Sequence, residues 1–284
     1  MTEIFYLVMV LVGILSSFIG SIIGAGGGIV NVPVLIFLNY AEYSSGISLI
    51  AIISTATFSS VFNIRKKLVD FKIALIFIPF QMIGSIIGAY LFDVIKSLNI
   101  DLFKLLFTIL LIFVGLRIYF KRDAEEDEIK ITKIEVIDKK IIIFGILGGV
   151  AAGTASGLLG IGGGVVVVPF LTLVMNASIH VAIATSLFIM IFSSSSGVIN
   201  HILNGNLPIF AIYFGIFLGI GAILGSSIGS RVAYRLKDKK IKKVYGLITI
   251  CIAIPLIWLR ILLPTDPIQV FFNNFRDFFS GIIS

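Results

Sequence analysis

Apolar residues gather into ten runs along the chain, five in each half, separated by short polar or glycine-rich interruptions. The runs cover residues 4–23, 29–38, 46–62, 71–92 and 101–120, and then 140–158, 165–175, 182–200, 207–230 and 243–263. A helix crossing a hydrocarbon core needs roughly 20 apolar residues. Most of the runs approach that length, whereas 29–38 and 165–175 reach about half of it. The pattern predicts an all-α integral membrane protein with about five helical segments in each half.

From Ile4 to Leu38 the chain stays apolar with no charged residue. At 1.5 Å per residue, an unbroken helix of that length would overrun a ~30 Å hydrocarbon core by about 20 Å, so the segment is expected to fold back. Gly24, Gly26, Gly27 and Gly28 mark the break, because glycine tolerates a sharp reversal and weakens a helix. The same reasoning breaks the stretch from Lys140 to Met175 at Gly160, Gly162, Gly163 and Gly164.

These two breaks belong to an internal repeat. The segment from Gly24 to Pro33 matches the segment from Gly160 to Pro169 at an offset of 136. Ser48-Leu49 then answers Ser186-Leu187, Asn63 answers Asn200, and Gly84 and Gly88 answer Gly221 and Gly225, at offsets of 137 or 138. The chain therefore divides into a first transmembrane repeat (1–120), a charged cytosolic linker (121–139), a second repeat (140–263) and a tail (264–284). Phe271, Phe272, Phe275, Phe278 and Phe279 lie among polar residues in that tail, a composition that suits an interfacial amphipathic helix or packing against the bundle.

Composition agrees with a membrane domain. Of 284 residues, 58% are hydrophobic and 13% charged, and the mean hydropathy is +1.13; a soluble domain carries about 25% charged residues. The net charge of +7 points to the bilayer and not to nucleic acid, since the basic residues sit in short loops beside apolar runs. The first run follows Met1-Thr2-Glu3 without a positive leader segment and is expected to be a mature span. Cys251, the single cysteine, excludes an intrachain disulfide and a cysteine-based metal cluster.

Charge also chooses the topology. If each broken segment enters and leaves on one side, each half crosses an odd number of times and the halves are inverted. Placing residues 65–72, the linker with Arg117 and Lys140 beside it, and residues 231–243 inside puts 18 of the 22 basic residues in the cytoplasm, and both termini outside. Eight single spans in parallel repeats would strand the cluster from Arg231 to Lys243 outside. The equivalent loops also differ in sign, with Arg65, Lys66, Lys67 and Lys72 in one and no Lys or Arg between Asn200 and Leu207 in the other.

Each glycine break leaves free backbone N–H groups where a short helix starts, near Ile29 and Val165, and such N-termini attract anions. Inverted-repeat transporters place substrate where broken helices meet near the bilayer midplane. Asn31 follows the first break, with Val167 at the equivalent place in the second. Thr55, Gln81, Thr185 and Ser186 are the polar side chains within runs chosen as candidate contacts. The other hydroxyls in the runs are read as helix-to-helix glue, and the glycines spaced by four as packing sites. His180 and His201 stand near run ends, Glu42 and Asp70 are read as solvated loop residues, and no carboxylate lies deep in a run. No residue set indicates a metal, a cofactor or an enzyme's acid, base and nucleophile.

The pair of glycine-rich turns running into an apolar stretch and a proline resembles the sulfite exporter TauE/SafE family of membrane permeases. Gly24, Gly26, Gly27, Gly28 and Pro33 carry the resemblance in the first copy, and Gly160, Gly162, Gly163, Gly164 and Pro169 in the second. It covers essentially the whole chain. It implies transport of a small sulfur-containing anion such as sulfite, thiosulfate or an organosulfonate, and no enzymatic activity. The expected partners are that anion and the lipid bilayer, with a homo-oligomer compatible with the sequence. A membrane structural or assembly subunit is the alternative, and it would not require duplicated broken helices.

The topology is testable with an impermeant thiol reagent on intact cells, after Cys251 is replaced. Single cysteines at Ser44 and Asn204 are expected to label from outside, and those at Lys67 and Lys239 only after permeabilisation. Outside labelling at Lys67 or Lys239 would sink the inverted topology.

Overall fold

The computed structural model describes residues 2–38, 40–98 and 139–237, with isolated positions between 108 and 116 and between 240 and 247. Beyond those positions, the runs expected at 101–120 and 243–263, the linker up to residue 138, the tail and Cys251 lie outside the described residues. The described residues form helices and no strand. They are α1 (Thr2–Ile23), α2 (Gly28–Phe37), α3 (Ser44–Arg65), α4 (Phe71–Leu98), α5 (Lys139–Leu159), α6 (Gly164–Leu173), α7 (Ile179–Leu203) and α8 (Ile209–Arg235). One 3-10 turn, Ala41–Tyr43, leads into α3.

Six of these, α1, α3, α4, α5, α7 and α8, are long and apolar enough to cross a membrane. The other two, α2 and α6, have 10 residues each, about 15 Å of helix and half a hydrocarbon core. The chain breaks on both sides at the expected glycines. Pro33 and Pro169 both lie inside their short helices, where a missing N–H leaves the carbonyl four residues earlier without its helical donor.

The helices pair across the halves. α1 packs along α8 and α4 along α5, and both seams are lined by glycine. A Cβ on Gly221 or Gly225 of α8 would collide with the carbonyl of Val10 or Ile14 of α1. One on Gly153 or Gly157 of α5 would collide with that of Gln81 or Ser85 of α4. Backbones this close gain dispersion and need no large side chains between them.

Register gives the running directions. Along α1 and α8, Val10, Ile14 and Phe18 meet Gly221, Gly225 and Gly229 in step, so the two are parallel. α3 runs with α8, because Ile50 and Ser54 meet Gly215 and Gly219. Gln81 and Asn200 reach Ser193 and the Ile86 carbonyl respectively, so α4 runs with α7. α3 and α7 are antiparallel, Ser45 meeting His201 and Leu49 meeting Gly197. Thus α1, α3 and α8 point one way and α4, α5 and α7 the other, so the long helices α1, α3 and α4 run opposite to α5, α7 and α8 respectively.

The directions sort the ends of the bundle. α3 and α8 finish, and α4 and α5 begin, at one end, which collects Arg65, Lys66, Lys67, Lys72, Lys139, Arg231, Arg235 and Lys237. There Lys66 Nζ lies 4.9 Å from the centroid of the Tyr234 ring. The opposite end is closed by aromatic rings, with Phe5 and Phe214 at 4.8 Å and Tyr6 and Phe217 at 4.3 Å between centroids. Between the ends, Leu7, Leu11 and Leu15 on α1 and Ile216, Ile220, Leu224 and Ile228 on α8 face outward, the apolar exterior that lipid requires.

Asp70 departs from its expected solvated position. It is buried, and its Oδ1 accepts hydrogen bonds from the N–H of Lys72 (3.1 Å) and of Ile73 (3.3 Å), capping α4.

The seams predict a cost for any added methyl group. Gly225→Ala, which drives Cβ into the Ile14 carbonyl, should lose about 1–3 kcal/mol of stability by overpacking. A lowered thermal midpoint in detergent is the readout, and an unchanged midpoint would contradict the seam.

Candidate functional site

The two glycine breaks meet each other. Gly27 and Gly163, the residues that open α2 and α6, have φ of 90° and 79°, a left-handed backbone that only glycine adopts at no steric cost. A Cβ on Gly28 would stand 2.6 Å from the carbonyl oxygen of Gly160, and one on Gly164 would collide with that of Gly24. Each tip therefore rests on the backbone of the other, with the residues from Gly24 to Gly28 and from Gly160 to Gly164 buried.

Two side chains rest on both tips. Ile52 and Met190 are the nearest neighbours of Gly26 and also of Gly162. Ile52 lies within Ser44–Arg65 and Met190 near the centre of Ile179–Leu203, so the tips sit near mid-height of the bundle.

Two serines stitch the tips to the long helices. Ser186 of α7 donates to the Gly24 carbonyl at 3.1 Å, and Ser48 of α3 donates to the Gly160 carbonyl at 2.6 Å. Ser186 is among the residues chosen from sequence, and Ser48 is not. The signal for Ser48 is its match to Ser186 in the repeat.

The other candidates have separate surroundings. Gln81 of α4 reaches the second tip, donating from Nε2 to the Gly162 carbonyl (3.2 Å) and to Ser193 Oγ (3.1 Å). Thr55 is bonded to Ser17 Oγ at 2.8 Å and to the Ala51 carbonyl of its own helix, joining α3 to α1. Thr185 accepts from the Asp70 N–H at 2.9 Å and so secures the loop between α3 and α4. Asn31 is fully buried in α2, and neither of its side-chain polar atoms has a hydrogen-bond partner among the described residues. Pro33 and Pro169 are inside α2 and α6 and supply no donor.

At each tip the helix begins on a glycine carbonyl. Val30 and Asn31 bond to Gly27 O, and Val166 and Val167 to Gly163 O. The N–H groups ahead of them have no carbonyl upstream in the helix and carry the positive end of its dipole. Ser48, Ser186, Gln81, Ile52 and Met190, the side chains placed at the tips, are all uncharged. Such a centre can attract an anion through dipoles without a fixed cation to trap it.

A profile of the sulfite exporter TauE/SafE family matches residues 9–256, a span that contains both hairpins and every candidate contact. The chain belongs to this family. The probable membrane transporter protein YunE of Bacillus subtilis (strain 168) is 33% identical over 221 residues, covering 71% of this chain and 80% of its own. The probable membrane transporter protein MJ0441 of Methanocaldococcus jannaschii is 27% identical over 201 residues, 68% of this chain and 71% of its own. No solved structure matches. This TauE/SafE chain is accordingly a multi-pass membrane protein of a transporter family.

Ser48→Ala and Ser186→Ala each leave a buried carbonyl without its donor and should each cost about 1–3 kcal/mol. Thermal unfolding in detergent measures the loss. A neutral effect of both would mean that the tips are held by packing alone.

Proposed function

We propose that this protein carries a small anion, a sulfur oxyanion or organosulfonate, across the cell membrane by alternating access around the two glycine tips. The observation that carries this reading is the meeting of two short-helix N-termini near mid-height of the bundle. Irregular backbone at that depth is tolerated where protein buries it or a cavity is lined by it. Partial positive charges on opposed N-termini suit a negative ligand that must also leave. Family membership supports the sulfur chemistry.

The two halves are inverted repeats in this reading, with the divisions drawn from the repeat offset. Support comes from the opposed directions of equivalent helices, and from the gathering of basic residues at one bundle end, which the positive-inside rule assigns to the cytoplasm. The aromatic end then faces outward and the N-terminus begins there. Exchange of access would require Ile52 and Met190 to withdraw from the tips, and the unbranched Met side chain is suited to repacking.

Proteoliposomes are expected to take up sulfite, thiosulfate or a small sulfonate faster than protein-free vesicles, and to ignore sugars and inorganic cations. Flux of a neutral solute that none of these anions inhibits would overturn the proposal.

A further inference from the structure

The two tips carry different buried acceptors, Gln81 Oε1 beside the second and Asn31 Oδ1 in the short helix of the first. Gln81 is fully buried, and its amide rests against Gly163, the residue that opens α6. The Gly162 carbonyl can only accept, so the amide atom facing it at 3.2 Å must be nitrogen. That fixes the orientation of the amide and turns Oε1 the other way. Oε1 has no hydrogen-bond partner among the described residues. One turn along the same face of α4, Ser85 Oγ is likewise buried and without a partner among the described residues.

A buried carbonyl oxygen left without a donor is costly. A fully ionised oxyanion cannot relieve it, because every oxygen of that ion is itself an acceptor and would be repelled. An ion that keeps one acid hydrogen satisfies both parts of the site. Such an ion offers negative oxygens to N–H groups and a hydroxyl donor to Oε1. The asymmetry has a sequence origin, since the offset that relates Gly84 to Gly221 places Leu218 opposite Gln81. At the first tip the neighbouring hydroxyl, Ser16 Oγ, donates to the Gly13 carbonyl at 3.2 Å.

Building on the anion reading above, we propose that Gln81 is a specificity-determining residue whose Oε1 accepts the acid hydrogen of a singly protonated oxyanion, so that the substrate enters carrying its own proton. Transport then responds to pH through the substrate. The elements against Gln81 bring it uncharged groups, Gly149 and Gly153 from α5, Gly162 and Gly163 from the tip, and Ser193 from α7. Their described titratable side chains stand at helix ends: Lys139 opens α5, and His180 and His201 lie near the two ends of α7. His201 is some 12 Å along the helix from Ser193 and is bonded to the Gly157 carbonyl and Ser45. On α4 itself, Lys72, Tyr90 and Asp93 are nine or more residues from Gln81, at least ~13 Å along the axis.

The test uses the purified full chain and three ions: sulfite, methanesulfonate and sulfate. Sulfite exists with or without its acid hydrogen according to pH. Methanesulfonate has one negative charge and no acid hydrogen, and sulfate near neutrality is fully ionised. Sulfite affinity is expected to fall as pH rises and the hydrogen-bearing ion disappears. At mildly acidic pH, methanesulfonate should bind about tenfold to a hundredfold more weakly than sulfite, the worth of one hydrogen bond to a charged partner, and sulfate more weakly still. Gln81→Leu should abolish the preference for sulfite over methanesulfonate. If that variant does not fold, the comparison of the three ions on the parent decides alone. Equal binding of sulfite and methanesulfonate, a rise of sulfite affinity with pH, or a requirement for sodium at fixed ionic strength would each overturn the role of Oε1 and leave the anion site standing. Binding of none of the three at any pH would remove the anion reading and this inference together.

Discussion

Hydrocarbon offers no hydrogen bonds, and a chain that breaks its helix at membrane depth must find partners for the backbone it exposes. Here the carbonyls freed at Gly24 and Gly160 are answered from the opposite half of the molecule, by Ser186 and Ser48. For these two carbonyls each half supplies the other's donor. The opposed tips, the glycine seams and the central position of Ile52 and Met190 depend on this mutual repair, because only the assembled pair satisfies both breaks at once.

The duplication is symmetric in its backbone and asymmetric in its chemistry. The tips share positive φ, burial and serine donors. Around them, one half joins α1 to α3 through the pairs Ser17–Thr55 and Ser21–Ser59, both at 2.8 Å. Between the halves, α4 is joined to α7 through Gln81 and Ser193. The two sides of one centre thus meet different polar groups. An object with a distinct head and tail can be held in a defined orientation at such a centre.

Much of the fold was legible because it rests on length and periodicity. A stretch from Ile4 to Leu38 is too long for one crossing, and the glycines at 24 and 26–28 are the place it must yield; the same held at Gly160. The pairing of α1 with α8 and of α4 with α5 was not legible. Glycines spaced by four announce a close neighbour without naming it, and the seams join segments far apart in sequence. Among the candidate contacts, Ser186 and Gln81 reach the tips while Thr55 and Thr185 serve other junctions. A hydroxyl in a long apolar run looks the same from sequence whichever neighbour it finds. A loop carboxylate such as Asp70 is usually solvated, and its role as the cap of α4 depends on a backbone turn that no pattern of hydrophobicity records.

The cross-half seams bear on how the molecule is made. α1 leaves the ribosome with the surface that will receive Gly221, Gly225 and Gly229, yet α8 begins at Ile209, nearly two hundred residues later. At 5–20 residues per second that interval is on the order of ten seconds or more. During it, α1 lies in the bilayer with a helix face and a broken hairpin unmatched. The nascent first half is thus an unfinished membrane object that needs lipid, the insertion machinery or a chaperone to shield it until its counterpart arrives.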